Sequence, residues 1–96
     1  MARRRYIVSY DIADPRRLRK VARIVEGFGT RIQYSVFECP LDNLRLEKLK
    51  ARLKDALNRD ADQILFIDLG ETAASTGLRI ESIGLPYLVR SRLTIV

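Results

Sequence analysis

Between two stretches of helical hydrophobic spacing lie only twelve residues, TRIQYSVFECPL, Thr30 to Leu41, rich in β-branched and aromatic side chains. If that segment holds two strands, one is very short and the chain bends between them. The reading adopted is a short strand, a tight bend near Arg31 to Tyr34 and a longer strand through Ser35 to Cys39. The bend leaves the facing of Arg31 and Gln33 open. Upstream, RRYIVSYDI reads as a strand with Tyr6, Val8, Tyr10 and Ile12 on one face and Ile7, Ser9 and Asp11 on the other. Both faces carry apolar residues, so both are expected to be covered. Asp14 followed by Pro15 starts a helix, the carboxylate capping free amides and the ring presetting φ. That helix runs through Leu18, Val21, Ala22, Val25 and Phe28 and stops at Gly27 or Gly29.

After the strand-like dozen, Asp42 caps a second helix with a stripe of Leu46, Leu49, Leu53 and Leu57, and Asp55 and Arg59 are spaced as a surface ion pair. QILFIDL, Gln63 to Leu69, is almost continuously apolar and is expected to be a central strand. The loop ETAASTG then leads to LRIESIG, YLVR and the tail SRLTIV. This order predicts an α+β sandwich with both helices on one face of a mainly antiparallel sheet, the ferredoxin-like βαββαβ plan, in a single domain of 96 residues. At that length the core is small, and a partner subunit would help it.

Composition removes whole classes of chemistry. With no histidine, Ser-His triads and histidine-based acid-base catalysis are out, and the lone Cys39 permits neither an internal disulfide nor the usual zinc site. Any metal would be a hard cation held by carboxylates. No Gly-rich phosphate loop or exposed aromatic RNA-binding motif is present. No apolar run approaches the roughly 20 residues of a membrane span, and the basic start lacks the apolar core of a signal peptide, so the expectation is a cytoplasmic protein without a membrane partner.

Charge is concentrated at one end of the chain. Residues 1–31 hold nine cations against three acids, whereas the remaining 65 carry nine of each. A localised excess of this kind is a footprint for a polyanion, nucleic acid first. Asp11 ends the first strand where the chain leaves the sheet, a position suited to chemistry, although turn and cap acids also gather there. One carboxylate is a poor metal site, but a two-fold interface would bring a second Asp11 beside the first. Arg16, Arg17, Arg19 and Lys20 begin a helix, against its dipole, which suggests an external anion. Arg45, Lys48, Arg52 and Arg59 read as a solvated helix face, and Tyr10, Tyr34 and Phe37 as core or interface aromatics.

The run YIVSYDIADPRRLRKVARIVEGFGTRIQYSVFECPL resembles the small CRISPR-associated adaptation nuclease family Cas2, in its strand ending Tyr-Asp-Ile, its basic helix and its Arg-Ile-Gln-x-Ser-Val-Phe-Glu segment. The likeness extends more loosely to about residue 85. It implies a ferredoxin-like protomer in a symmetric homodimer, with an additional C-terminal strand from about residues 80–96 packing on the partner's sheet. It implies partnership with the CRISPR integrase in spacer acquisition, and metal-dependent endonuclease activity on RNA or double-stranded DNA with Mg2+ or Mn2+. On the same basis Asp11 is the catalytic and metal residue, Arg16, Arg17, Arg19 and Arg31 the nucleic-acid-binding residues, and Tyr10, Ser35 and Phe37 supporting residues. Two alternatives stand beside this reading: a non-catalytic DNA-binding adaptor of the integrase, and a ribonuclease toxin of the related VapD type.

Overall fold

The computed structural model describes residues 2–71 and 80–88. Its elements are β1 (Arg4–Asp11), α1 (Pro15–Glu26), β2 (Thr30–Gln33), β3 (Val36–Leu41), α2 (Asn43–Ala56) and β4 (Gln63–Glu71). The four strands form one sheet in the order β2-β3-β1-β4, every neighbouring pair antiparallel. This is the ferredoxin-like plan. The twelve-residue segment does divide into two strands, but the turn lies later than expected: Arg31 and Gln33 are within β2, and Tyr34 and Ser35 form the turn, so the second strand starts at Val36 and not at Ser35. The second strand runs on through Pro40, which pairs with Arg5 near the strand end.

Both helices pack on the face formed by Tyr6, Val8 and Tyr10 of β1 and Phe37, Cys39 and Leu41 of β3. Val21 and Val25 of α1 and Leu49 and Leu53 of α2 close that core, each fully or almost fully covered. Burial of this kind contributes roughly 1.5–3 kcal/mol for each large aliphatic side chain. Gly29 lets the link from α1 press onto β3: a Cβ there would run into the Glu38 carbonyl oxygen and lie 2.5 Å from Cys39 Sγ. Burial pushes the Cys39 thiol up to about 12, so this cysteine is a core residue and not a nucleophile.

The opposite face differs from expectation. On it lie Ile7, Ser9, Val36 and Glu38, paired across the sheet with one another or with Leu65 and Ile67 of β4. Leu65, Ile67 and Leu69 are 46%, 46% and 49% exposed, so the described residues leave this face uncovered. β4 is an edge strand, not the central strand its apolar run predicts. Its run is continuous because Ile64 and Phe66 pack against the helix-covered core while the alternate residues stock the open face.

One smaller expectation fails as well, and another falls largely outside the described residues. Helix α2 ends at Ala56, with Leu57 already extended as its cap, so Arg59 is not on the helix and no pair with Asp55 forms. Residues 80–88 form no strand, and residues 72–79 and 89–96, which hold most of the ETAASTG loop and of the predicted C-terminal strand, lie outside the described residues. No helix among the described residues is long and apolar enough to cross a membrane.

Candidate metal and nucleic-acid site

Asp11 is the last residue of β1, on the open face, opposite Gln63 of β4. It is exposed, and its carboxylate has no hydrogen bond or ion pair among the described residues. No group of three or more potential metal-ligating side chains forms among the described residues either. Among the described residues Asp11 is therefore a free carboxylate at this sheet end without the further ligands that a metal site needs.

The loop after Asp11 is held from two sides. Asp14 Oδ2 accepts from the backbone N–H groups of Arg16 and Arg17, both at 3.0 Å, and those bonds lower its pKa, Arg17 first. Asp62 does more. Its Oδ1 accepts from Ala13 N at 2.9 Å and Arg17 Nη2 at 3.1 Å, and its Oδ2 from Arg17 Nε at 2.7 Å and Asn58 N at 2.8 Å. The Asp62 side chain is completely covered, and the Arg17 hydrogen bonds, ahead of the two backbone amides, hold its carboxyl well below the usual carboxylate range. Asp62 thus ties the segment two residues past Asp11 to the α2–β4 connection.

This corrects the reading of the basic helix. Arg17 is committed to Asp62 and is not an open phosphate ligand. Arg16 and Arg19 are exposed, and their side chains make no hydrogen bond or ion pair among the described residues. Arg31 is half-buried, donates to Glu26 Oε1 at 3.1 Å, and lies 5.1 Å from the Phe37 ring centroid and 5.9 Å from that of Tyr34. The four predicted arginines therefore divide into two free and two engaged.

Tyr10, Ser35 and Phe37 come together beneath this region. Phe37 is fully buried and stacks on Tyr10 with centroids 6.1 Å apart. Tyr10 N donates to the Ser35 carbonyl oxygen at 3.1 Å and Tyr10 Oη to the Tyr34 carbonyl at 3.3 Å, so the strand carrying Asp11 is fastened to the β2–β3 turn. Burial raises the Tyr10 pKa. Of the three aromatics read as core or interface, Tyr34 is not in the core: it is 71% exposed. The supposed solvated face of α2 is also structured: Arg45 and Arg52 lie 4.7 and 5.6 Å from the Phe28 ring centroid.

Asp62 is the residue that sequence reasoning missed. Its partner lies 45 residues away, and the one available signal is its place immediately before the strand that pairs with β1.

Comparison with known proteins agrees with this geometry. The family model "CRISPR associated protein Cas2" matches residues 4–76. A CRISPR-associated endoribonuclease Cas2 of Rhodospirillum rubrum is 37% identical over 91 residues, covering 95% of this chain and 88% of the relative. A CRISPR-associated endonuclease Cas2 of Thermus thermophilus is 42% identical over 64 residues, covering 67% and 71%. The crystal structure of Streptococcus pyogenes Cas2 superposes with a TM-score of 0.70 at 32% identity, covering 83% of this chain and 99% of that one.

Proposed function

The chain belongs to the Cas2 family of CRISPR-associated proteins, and on that premise we propose that it is a divalent-metal-dependent endonuclease. In this reading it cleaves phosphodiester bonds of RNA or double-stranded DNA as a symmetric homodimer and serves spacer acquisition with the CRISPR integrase. The names of its relatives, endoribonuclease in one and endonuclease in another, support the reaction class and leave both substrates in play. The observation that carries the reading is Asp11: an exposed carboxylate, without a partner among the described residues, at the end of an apolar sheet face.

The donor chemistry fits half of a hard-cation site, since the available ligand is a carboxylate oxygen and the lone thiol is buried and protonated. A two-fold axis through the open face would supply the second Asp11, and Leu65, Ile67 and Leu69 are the side chains that such an interface would cover. Mg2+ or Mn2+ bound there would polarise a phosphoryl oxygen and offset charge developing on the scissile phosphate. Arg16 and Arg19 would hold the nucleic-acid backbone, and the Asp62 bonds would keep the Asp11 loop from shifting as substrate binds.

A cleavage assay on RNA and duplex DNA, with and without EDTA, tests the reading. Asp11→Asn is expected to abolish cleavage while leaving the dimer intact, and undiminished activity in that variant would sink it. Replacing Ile67 with glutamate is expected to yield monomers in size-exclusion chromatography and to abolish cleavage with them. The concentration of cations in residues 1–31 favours a second reading, a non-catalytic DNA-binding adaptor. That reading predicts spacer acquisition surviving Asp11→Asn but not the joint loss of Arg16 and Arg19.

A further inference from the structure

Between α1 and the β2–β3 turn lies a cavity of about 310 Å3, rimmed by Arg19, Arg23, Arg31, Glu26, Tyr10 and Tyr34. Its charges do not balance. Glu26 is engaged with Arg31 at 3.1 Å, whereas Arg19 and Arg23, one helical turn apart and both exposed, have no side-chain hydrogen bond or ion pair among the described residues. Two uncompensated guanidinium groups thus face one opening.

Beside them stands Tyr34, 71% exposed at the tip of the turn, where core packing gives no reason for an aromatic ring. Its backbone is nevertheless anchored. The Tyr34 carbonyl accepts from Tyr10 Oη, and its ring lies 5.9 Å from the Arg31 guanidinium, which in turn lies 5.1 Å from the buried Phe37 ring. An exposed aromatic on an anchored turn, beside free guanidinium groups, matches the two faces of a nucleotide, a flat base and an anionic phosphate. Bases inside a duplex already stack on their neighbours, so a side chain reaches a base face only where the base is unpaired or splayed out.

We propose that this cavity binds one unpaired nucleotide of a nucleic-acid strand, its base stacked on Tyr34 and its phosphate contacted by Arg19 and Arg23. The protein then distinguishes a frayed or overhanging end from a blunt duplex. This inference rests on the nucleic-acid reading above and adds the site and the form of substrate it selects.

Fluorescence anisotropy with a labelled blunt duplex and with the same duplex bearing a short 5′ or 3′ overhang tests it. The unaltered protein is expected to bind at least one overhang duplex more tightly than the blunt one. Tyr34→Ala is expected to weaken overhang binding by about tenfold or more, the size of one base stack, with blunt binding unchanged, and Tyr34→Phe to retain the preference. Arg23→Ala is expected to lower the salt dependence for the overhang alone. Equal weakening of both duplexes by Tyr34→Ala, or no weakening of either, would overturn the pocket while leaving nucleic-acid binding in place. Failure of the unaltered protein to bind any nucleic acid would overturn the underlying reading itself.

Discussion

Two aspartates stand at the same end of the sheet, and they could hardly be treated more differently. Asp62 is completely covered and accepts four hydrogen bonds, from Arg17, Ala13 and Asn58. Asp11, whose neighbour across the sheet directly follows Asp62 in the chain, is exposed and accepts none among the described residues. A carboxylate whose lone pairs are all occupied is a structural element, and one left open to water can still take a cation or a proton. The arginines divide in the same way. Arg17 is consumed by Asp62, while Arg16 and Arg19, its neighbours on the same helix, remain available.

The contrast can be broken by mutation, and the largest effect is expected at the open acid. Asp11→Asn should reduce metal-dependent cleavage by about a hundredfold or more while leaving the thermal midpoint within error, as a side chain without partners has no contact to lose. Asp62→Asn should do the reverse in kind. It removes the charge from a covered, fully bonded site, so the thermal midpoint should fall by about 5 °C or more, with cleavage declining through displacement of the Asp11 loop.

Acid titration sharpens the same contrast. The pKa of Asp62 is depressed in the fold, so its ionised form stabilises the protein above the ordinary carboxylate value and that stability is lost as pH falls. The difference in stability between the native protein and Asp62→Asn should therefore be constant near neutrality and shrink below about pH 4. A difference that grew on acidification would show that the covered carboxylate does not contribute through its charge. The smallest effect is expected in the arginine pair. Arg16→Ala should lower the log-log salt slope of duplex binding by about 0.9, and Arg17→Ala should leave it unchanged.

What could be read from sequence was local. The Asp14-Pro15 helix start, the division of TRIQYSVFECPL into a short and a longer strand, and the buried face of Tyr6, Val8 and Tyr10 all follow from spacings of a few residues, although the turn falls at Tyr34 and Ser35 and not earlier, near Arg31. What could not be read was relational. Arg17 looks like a phosphate ligand until Asp62 is brought to it from 45 residues away. QILFIDL looks central because both its faces are apolar, a pattern that an edge strand shares when helices use one face and the other is left open. Tyr34 reads as a core or interface aromatic, and its place in the β2–β3 turn, outside the core, comes only with the fold. Asp11 was legible as a candidate, but its lack of partners is a property of the fold.

The outer edge of β4 gives this chain a dependence on how much of it is present. Nine residues long, with backbone groups unpaired on one side among the described residues and three exposed apolar side chains, it is a template for association in any solution where nothing covers it. Were a second copy of the chain to cover it, as the proposed homodimer requires, mass action would stabilise the native state and the thermal midpoint would become a function of protein concentration and not a constant of the sequence. Dilution alone would then be a denaturant, and expression level a determinant of how much folded protein a cell contains.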